Sequence, residues 1–504
     1  MSTTTKYLLK GGTVATCVQG SDAAQVYKAD VLVEGSTITR IEQDIAPAPG
    51  VEVIDCTDKW ITPGFVDTHR HVFMTVLRAN QCDYLLSEYF IKMAWTVQGT
   101  LTPDEIAIGT LAGCLDALHN GVTTILDHFH AAHTSAHADA ALRAVLESGA
   151  RVIWAPARQS PPTQLFPSLQ WAGDTESAKW QREKLKELGA PNGGKLRPDG
   201  RVTLGLAYDT LGQGPIEAHQ EFLTFARSVP VAVITAHVVQ GPGILTWRDA
   251  GVLGPDVVFS HCNILADRPA PDDEMWAALK EGGAAIAATP EDELGMAHGN
   301  PVALDALRRG VKCGLGVVST SPTPGRSFVE RLRGRIVQDV VSANSGDIFT
   351  QMRVQLQWAR GHDHERILAE RNPATRPFHN KYNCVDVFRL GTLGGAEALG
   401  LSQLIGTVEV GKRADLLVFD ANSVNLAGAA DPIGGVVFHA SSEDIEMVFV
   451  DGEIVKRNRK LVREWAPVAR ELKEKADAVR ERWPAEKLEE AWKKWYETNG
   501  APFF

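Results

Sequence analysis

Between residues 65 and 317 the chain repeats one pattern eight times: a short apolar run, then a stretch of helical character. The runs occupy 65–71, 122–128, 151–156, 202–208, 231–237, 257–262, 284–288 and 313–317. Segments such as 103–120 and 138–148 carry the helical spacing between them. Strands that alternate with helices run parallel, because each helix carries the chain back along the sheet. Eight such units favour closure, so the predicted fold is α/β, a (β/α)8 TIM-like barrel.

The flanks read differently. Residues 7–14, 30–38 and 51–55 look like short strands broken by Gly, Asp and Pro turn signals, and the same texture returns at 411–420 and 445–455. Two distant segments of matching style predict one small β-sandwich domain built from both ends. The expected division is 1–62 with 403–459 for that domain, 63–402 for the barrel, and 460–504 for a charged, Trp-containing helical extension. A chain of 504 residues, 44% hydrophobic, is long enough for a barrel plus a smaller unit.

Charge and composition exclude several classes. A net charge of −11 argues against general nucleic-acid binding, which needs a basic surface. No apolar run reaches the ~18 residues of a membrane helix, and the first residues lack an apolar signal core. The seven cysteines show no C-x-x-C spacing and read as reduced thiols. The expectation is a cytoplasmic protein with a small-molecule substrate, no nucleic-acid or membrane partner, and C-terminal helices available for a homo-oligomer.

The chemistry concentrates where the strands end. Thr62-Pro63-Gly64-Phe65-Val66-Asp67-Thr68-His69-Arg70-His71 closes on two histidines one residue apart. Side chains alternate along a strand, so His69 and His71 share a face and Arg70 points away. Two such imidazoles can share one metal ion, with Zn–N distances of about 2.0–2.1 Å. His237 ends the fifth run, His261 the sixth, and Asp339 lies beyond the eighth. The C-terminal face of a barrel is where an active site assembles.

These motifs together resemble the amidohydrolase superfamily, within it the branch of cytosine deaminase and the triazine hydrolases. The resemblance rests on the segment from Pro63 to His71, on His237, on Ser260-His261-Cys262-Asn263, on Gly395-Ala396-Glu397-Ala398-Leu399-Gly400 and on Gly411-Lys412-Arg413-Ala414-Asp415. It implies a metal-dependent hydrolase of non-peptide C–N bonds. It makes His69, His71, His237 and Asp339 the metal ligands, with Asp339 and His261 catalytic. Two-metal members carry a lysine on strand four; here Leu204-Gly205-Leu206-Ala207-Tyr208-Asp209 has none. One divalent ion is therefore expected, Zn²⁺ first, with Fe²⁺ or Mn²⁺ also suited to imidazole and carboxylate ligands. Trp95, Phe73, Phe129 and Tyr208 are candidate pocket walls.

Two departures stand out. Deaminases of this branch carry Glu three residues after the strand-five histidine, whereas this chain has Gln240. Gln donates and accepts hydrogen bonds but transfers no proton. That places amide or lactam hydrolysis ahead of deamination of a purine, pyrimidine or triazine ring, with His298 as another candidate donor near the substrate. Second, Leu315-Gly316-Val317 is separated from Asp339 by 318–338, an arginine-rich stretch without apolar periodicity. It begins Val-Ser and ends in Gln, residues that intron-boundary triplets encode. An unspliced intron in a gene of eukaryotic origin and a surface loop both account for it. In the first case the barrel is inactivated and left a non-catalytic binding module unless Asp339 still reaches the metal.

Overall fold

A computed structural model describes residues 5–80, 82–158, 162–164, 170–171, 174–212, 214–241, 243–266, 268, 273–296, 298–317, 345–369 and 376–499. Eight parallel barrel strands lie among them: Phe65–Arg70, Val122–Phe129, Arg151–Pro156, a fourth split into Val202–Leu204 and Leu206–Ala207, Ile234–Val238, Val257–His261, Ala285–Ala288 and Lys312–Leu315. The halves of the fourth strand pair with different neighbours, Val202 with Val152 and Leu206 with Ile234. The ring closes where the Val317 N–H donates to the His69 carbonyl at 3.1 Å and Thr68 Oγ1 to the Leu315 carbonyl at 3.0 Å. Glycine makes that approach feasible, since a Cβ on Gly316 would lie 2.7 Å from the His69 carbonyl oxygen.

The period of two sorts each strand between two cores. Val66, Leu126, Ile153, Val258 and Ala285 face inward and fill the barrel, while Phe65, Ile125, Val152, Phe259 and Ile286 face the surrounding helices. Ala396, Ala398 and Leu399, from the Gly-Ala-Glu-Ala-Leu-Gly motif, belong to the inner core. A Cβ on Gly395 would stand 2.9 Å from that of Val66, so the motif plugs the barrel beneath its first strand. The first outer helix, Pro103–His119, starts at a capping box: Thr102 Oγ1 accepts from the Glu105 N–H and the Glu105 carboxylate accepts from the Thr102 N–H.

Strands from both ends of the chain form one nine-stranded sheet. Its seam is the antiparallel pairing of Lys59–Pro63 with Leu416–Asp420, Ile61 opposite Val418. Alternation again divides the residues. Leu416 and Val418 join Val31, Val33 and Phe449 in a core of the sheet's own, whereas Leu417 and Phe419 pack on the barrel. Arg151, at the start of barrel strand three, fixes the junction. Its guanidinium makes 3.0 Å contacts to both Asp415 oxygens and a third to Asp451. The Gly-Lys-Arg-Ala-Asp motif thus supplies the sheet's anchor to the barrel.

The helices Trp465–Arg482 and Ala485–Asn499 pack on the same chain. Arg482 pairs with Glu105, Lys92 with Glu489 at 2.6 Å, and Trp492 and Trp495 are buried. No helix among the described residues is long and apolar enough to cross a membrane.

Candidate metal centre

The ends of barrel strands one, two, five and six bring a group of histidines to one place. The ring centroids of His69 and His71 lie 4.9 Å apart, as expected for alternate positions on one face. His237 lies 4.9 Å from His69 and 5.4 Å from His71, and His261 lies 5.5 Å from His69. Arg70 points the other way. It forms a fully buried ion pair with Asp67 at 2.6 Å and donates to the Gly346 carbonyl at 2.7 Å. Asp67 in turn accepts from the His69 and Val317 N–H groups at 3.2 Å each, so the base of the first ligand strand is braced against the eighth.

The neighbours of the three expected ligands engage one nitrogen of each ring. His69 Nδ1 lies 2.9 Å from Ser260 Oγ, His71 Nδ1 is 2.5 Å from the His128 carbonyl, and His237 Nδ1 is 3.0 Å from Asp209 Oδ2. Each Nδ1 contacts an oxygen, so Nε2 is the nitrogen through which each ring would ligate. His69 Nε2 and His237 Nε2 stand 3.1 Å apart. Two ligands at about 2.0–2.1 Å from a tetrahedral ion stand ~3.3 Å apart, so the pair fits a shared cation. One ligating atom each from His69, His237 and His261 falls within 4.8 Å of the others. Burial, reinforced by the surrounding imidazoles, holds His71 well below the usual histidine range and so neutral, as a ligand must be.

His261 is aimed by its backbone. It and Cys262 both have positive φ, 74° and 59°, an uncommon pair for residues with side chains. The His261 Nδ1 lies 2.9 Å from Thr289 Oγ1 and 3.4 Å from Glu293. His298 stands edge-on to His261 at 4.6 Å, and Gln240 Nε2 donates to the His298 carbonyl at 2.9 Å. The structure therefore gathers His69, His71, His237, His261, Gln240 and His298. Asp339 lies outside the described residues, as does the 318–338 stretch.

The aromatic candidates divide. The Phe73 ring is 4.9 Å from that of His130. Trp95 stacks on Phe90 at 5.7 Å and meets Trp495 of the C-terminal helix at 6.5 Å. Phe129 stacks on Trp154 at 5.7 Å. Tyr208, expected as a pocket wall, instead stacks on Phe222 and contacts His219 Nδ1 at 2.6 Å under the outer helix Ile216–Ser228. Alternation explains it: Ala207 faces the barrel interior, so Tyr208 faces out.

Sequence reasoning missed His128, His130 and Asp209. His128 and His130 repeat, at the end of strand two, the His-x-His spacing that singled out strand one. Asp209 follows strand four at the level where strand five offers His237, with its Oδ1 accepting the His237 N–H at 2.8 Å. Burial alone would raise the Asp209 carboxyl, but His237 and His128 outweigh it and hold it well below the usual carboxylate range.

A family model described as the amidohydrolase family matches residues 60–205 and 216–455. Among curated proteins, the chain is 26% identical over 440 residues to a 5-methylthioadenosine/S-adenosylhomocysteine deaminase of Thermococcus kodakarensis, covering 85% of this chain and 90% of the relative. It is 26% identical over 459 residues to a 5'-deoxyadenosine deaminase of Methanothermobacter thermautotrophicus, covering 87% and 92%. Among solved structures, an adenosine deaminase from Xanthomonas campestris with bound zinc superposes with a TM-score of 0.72 at 18% identity, over 95% of this chain and 99% of that one. The zinc complex of atrazine chlorohydrolase from Arthrobacter aurescens TC1 gives 0.72 at 18% identity, over 93% and 100%.

Proposed function

Since the chain belongs to the amidohydrolase family and is a hydrolase of carbon–nitrogen bonds other than peptide bonds, we propose that it removes an exocyclic amine from a purine-type heterocycle, using one zinc ion. The observation that carries the metal reading is the convergence of His69 Nε2 and His237 Nε2 at 3.1 Å, with every ligand's Nδ1 engaged elsewhere. The deaminases among its relatives, aligned over more than four-fifths of the chain, support the choice of an aminated ring.

His69, His71 and His237 would hold the ion, with Asp339 as the carboxylate ligand that the resemblance implies. A divalent ion held there would lower the pKa of water toward ~7 and polarise the carbon under attack. Asp339 would accept the proton of the attacking water and return it to the departing nitrogen. His261, held by Thr289 on one nitrogen, presents the other toward His69 and His237, where it can hydrogen-bond the nucleophile. Gln240 orients substrate and cannot protonate it. His298, buried against His261, is the candidate donor to the ring nitrogen in its place. The seven free cysteines, five of them buried, are in keeping with the reducing cytoplasm.

The test is ammonia release from 5'-deoxyadenosine, 5'-methylthioadenosine, adenosine and aminotriazines by the zinc-loaded enzyme, beside a panel of amides and lactams. Turnover of an aminated ring that disappears in His237→Ala supports the proposal. Turnover confined to amides or lactams would replace it with the second reading, which Gln240 favours. A zinc content far below one per chain in the folded enzyme would remove both.

A further inference from the structure

Asp209 and His128 touch none of the atoms expected to react, yet they join two of the expected ligands. Asp209 Oδ2 lies 3.0 Å from His128 Nε2 and 3.0 Å from His237 Nδ1, and Oδ1 accepts the His237 backbone N–H at 2.8 Å. The His128 and His237 rings are 4.2 Å apart. The backbone carbonyl of the same His128 holds His71 Nδ1. A carboxylate only accepts hydrogen bonds, so His237 presents its Nδ1–H to it, with His128 Nε2 alongside at ion-pair distance. The proton of His237 then sits on Nδ1 and its lone pair on Nε2, the atom 3.1 Å from His69 Nε2.

We propose that Asp209 and His128 form a positioning clamp, linking strands two and four, that sets the tautomer and aim of His237 and the seat of His71. The clamp rests on the reading of His69, His71 and His237 as ligands, and adds two residues that do not touch the ion. The alternative is that Asp209 and His128 are themselves ligands, because one atom each from His128, Asp209 and His237 falls within 4.8 Å. With the first ion held by His237 Nε2, that arrangement would need His237 to lose both ring protons and bridge two cations. It would also interrupt the donor–acceptor pattern that the carboxylate already satisfies.

The substitution Asp209→Asn separates these ideas. An amide places an N–H where the carboxylate accepted one, so the His237 proton is driven to Nε2, where the ion should bind. Zinc affinity, measured by competition with a chromogenic chelator on metal-stripped and reloaded protein, should fall about 10- to 100-fold. The visible spectrum of the cobalt-loaded protein should change with it. In His128→Gln an amide N–H can still reach Asp209, and the loss should be less than in Asp209→Asn. A merely structural role would lower the unfolding midpoint of the stripped protein and leave the affinity and cobalt spectrum of the folded fraction unchanged. Wild-type affinity and spectrum in Asp209→Asn, or in His128→Ala should Asp209→Asn fail to fold, would overturn the clamp. So would two zinc ions per wild-type chain. Wild-type protein that binds no zinc would overturn the ligand reading and the clamp together, whereas normal loading of both proteins overturns the clamp alone.

Discussion

Replacing Arg151 by methionine probes the junction on which the barrel and the terminal sheet depend. Arg151 is the cationic partner of two carboxylates whose side chains are only 2% and 3% exposed, Asp415 and Asp451. Methionine keeps much of the packing volume and removes the charge. Breaking a buried ion pair from one side costs about 3–5 kcal/mol, because the remaining charge is left without compensation. Here two acids remain. Asp415 keeps one donor, the Asp451 N–H at 2.7 Å, and Asp451 keeps Arg201 at 3.8 Å and Arg413 at 3.5 Å, both too long for good hydrogen bonds. The expected loss is therefore near the upper end, ~4–5 kcal/mol. Urea unfolding followed by circular dichroism and tryptophan fluorescence would measure it. The triple variant Arg151→Met, Asp415→Asn, Asp451→Asn should recover most of the loss, since a neutral replacement of a buried ion network is often close to neutral in energy. Zinc content should stay normal in both, because Arg151 begins a six-residue strand whose far end, ~17 Å away, faces the site. A single variant within ~1 kcal/mol of wild type, or a triple variant no better than the single, would refute this account of the junction.

Four further outcomes are expected. Ser260→Ala removes the oxygen that engages His69 Nδ1 at 2.9 Å and should weaken zinc binding about tenfold or more in the same chelator competition. Gln240→Glu restores a titratable group beside His298 and should raise ammonia release from an aminated ring while adding a new limb to its pH profile; an unchanged profile would place position 240 away from the substrate. Burial, reinforced by Asp347, pushes the Glu291 carboxyl up from 4.5 to about 7. A carboxyl raised by folding stabilises the fold below its unfolded pKa, and that contribution is lost as pH rises from about 4.5 through about 7. Glu291→Gln should accordingly gain stability relative to wild type across that window, and parallel denaturation curves at its two ends would contradict the assignment. Deleting 318–338, which restores Asp339 directly after the Leu-Gly-Val strand end, should raise bound zinc and activity if the stretch is foreign to the gene, and elemental analysis of the two forms decides it.

The eight barrel strands were legible because local periodicity and covalent order are sequence properties. Runs such as 122–128 and 257–262 stand between helical stretches, and the structure buries Val122–Phe129 and Val257–His261 throughout. The pairing of His69 with His71 was equally readable, since alternation along one strand needs no distant partner. The joining of both chain ends in one sheet followed from matching strand style, but its seam, Lys59–Pro63 against Leu416–Asp420, did not.

Contacts between strands distant in sequence were decided only by the closed barrel. Nothing local marks Asp209 as the partner of His128 and His237. It becomes one because strand four ends beside strand five, at the height where both imidazoles turn inward. Tyr208 shows the converse, an aromatic residue at a strand end that one step of alternation sends to the outer helices. Sequence alone sets which residues are able to ligate, since donor chemistry belongs to the side chain. Which nitrogen of His69, His71 and His237 would ligate is set by the oxygens of Ser260, His128 and Asp209, each delivered by a different strand end to Nδ1.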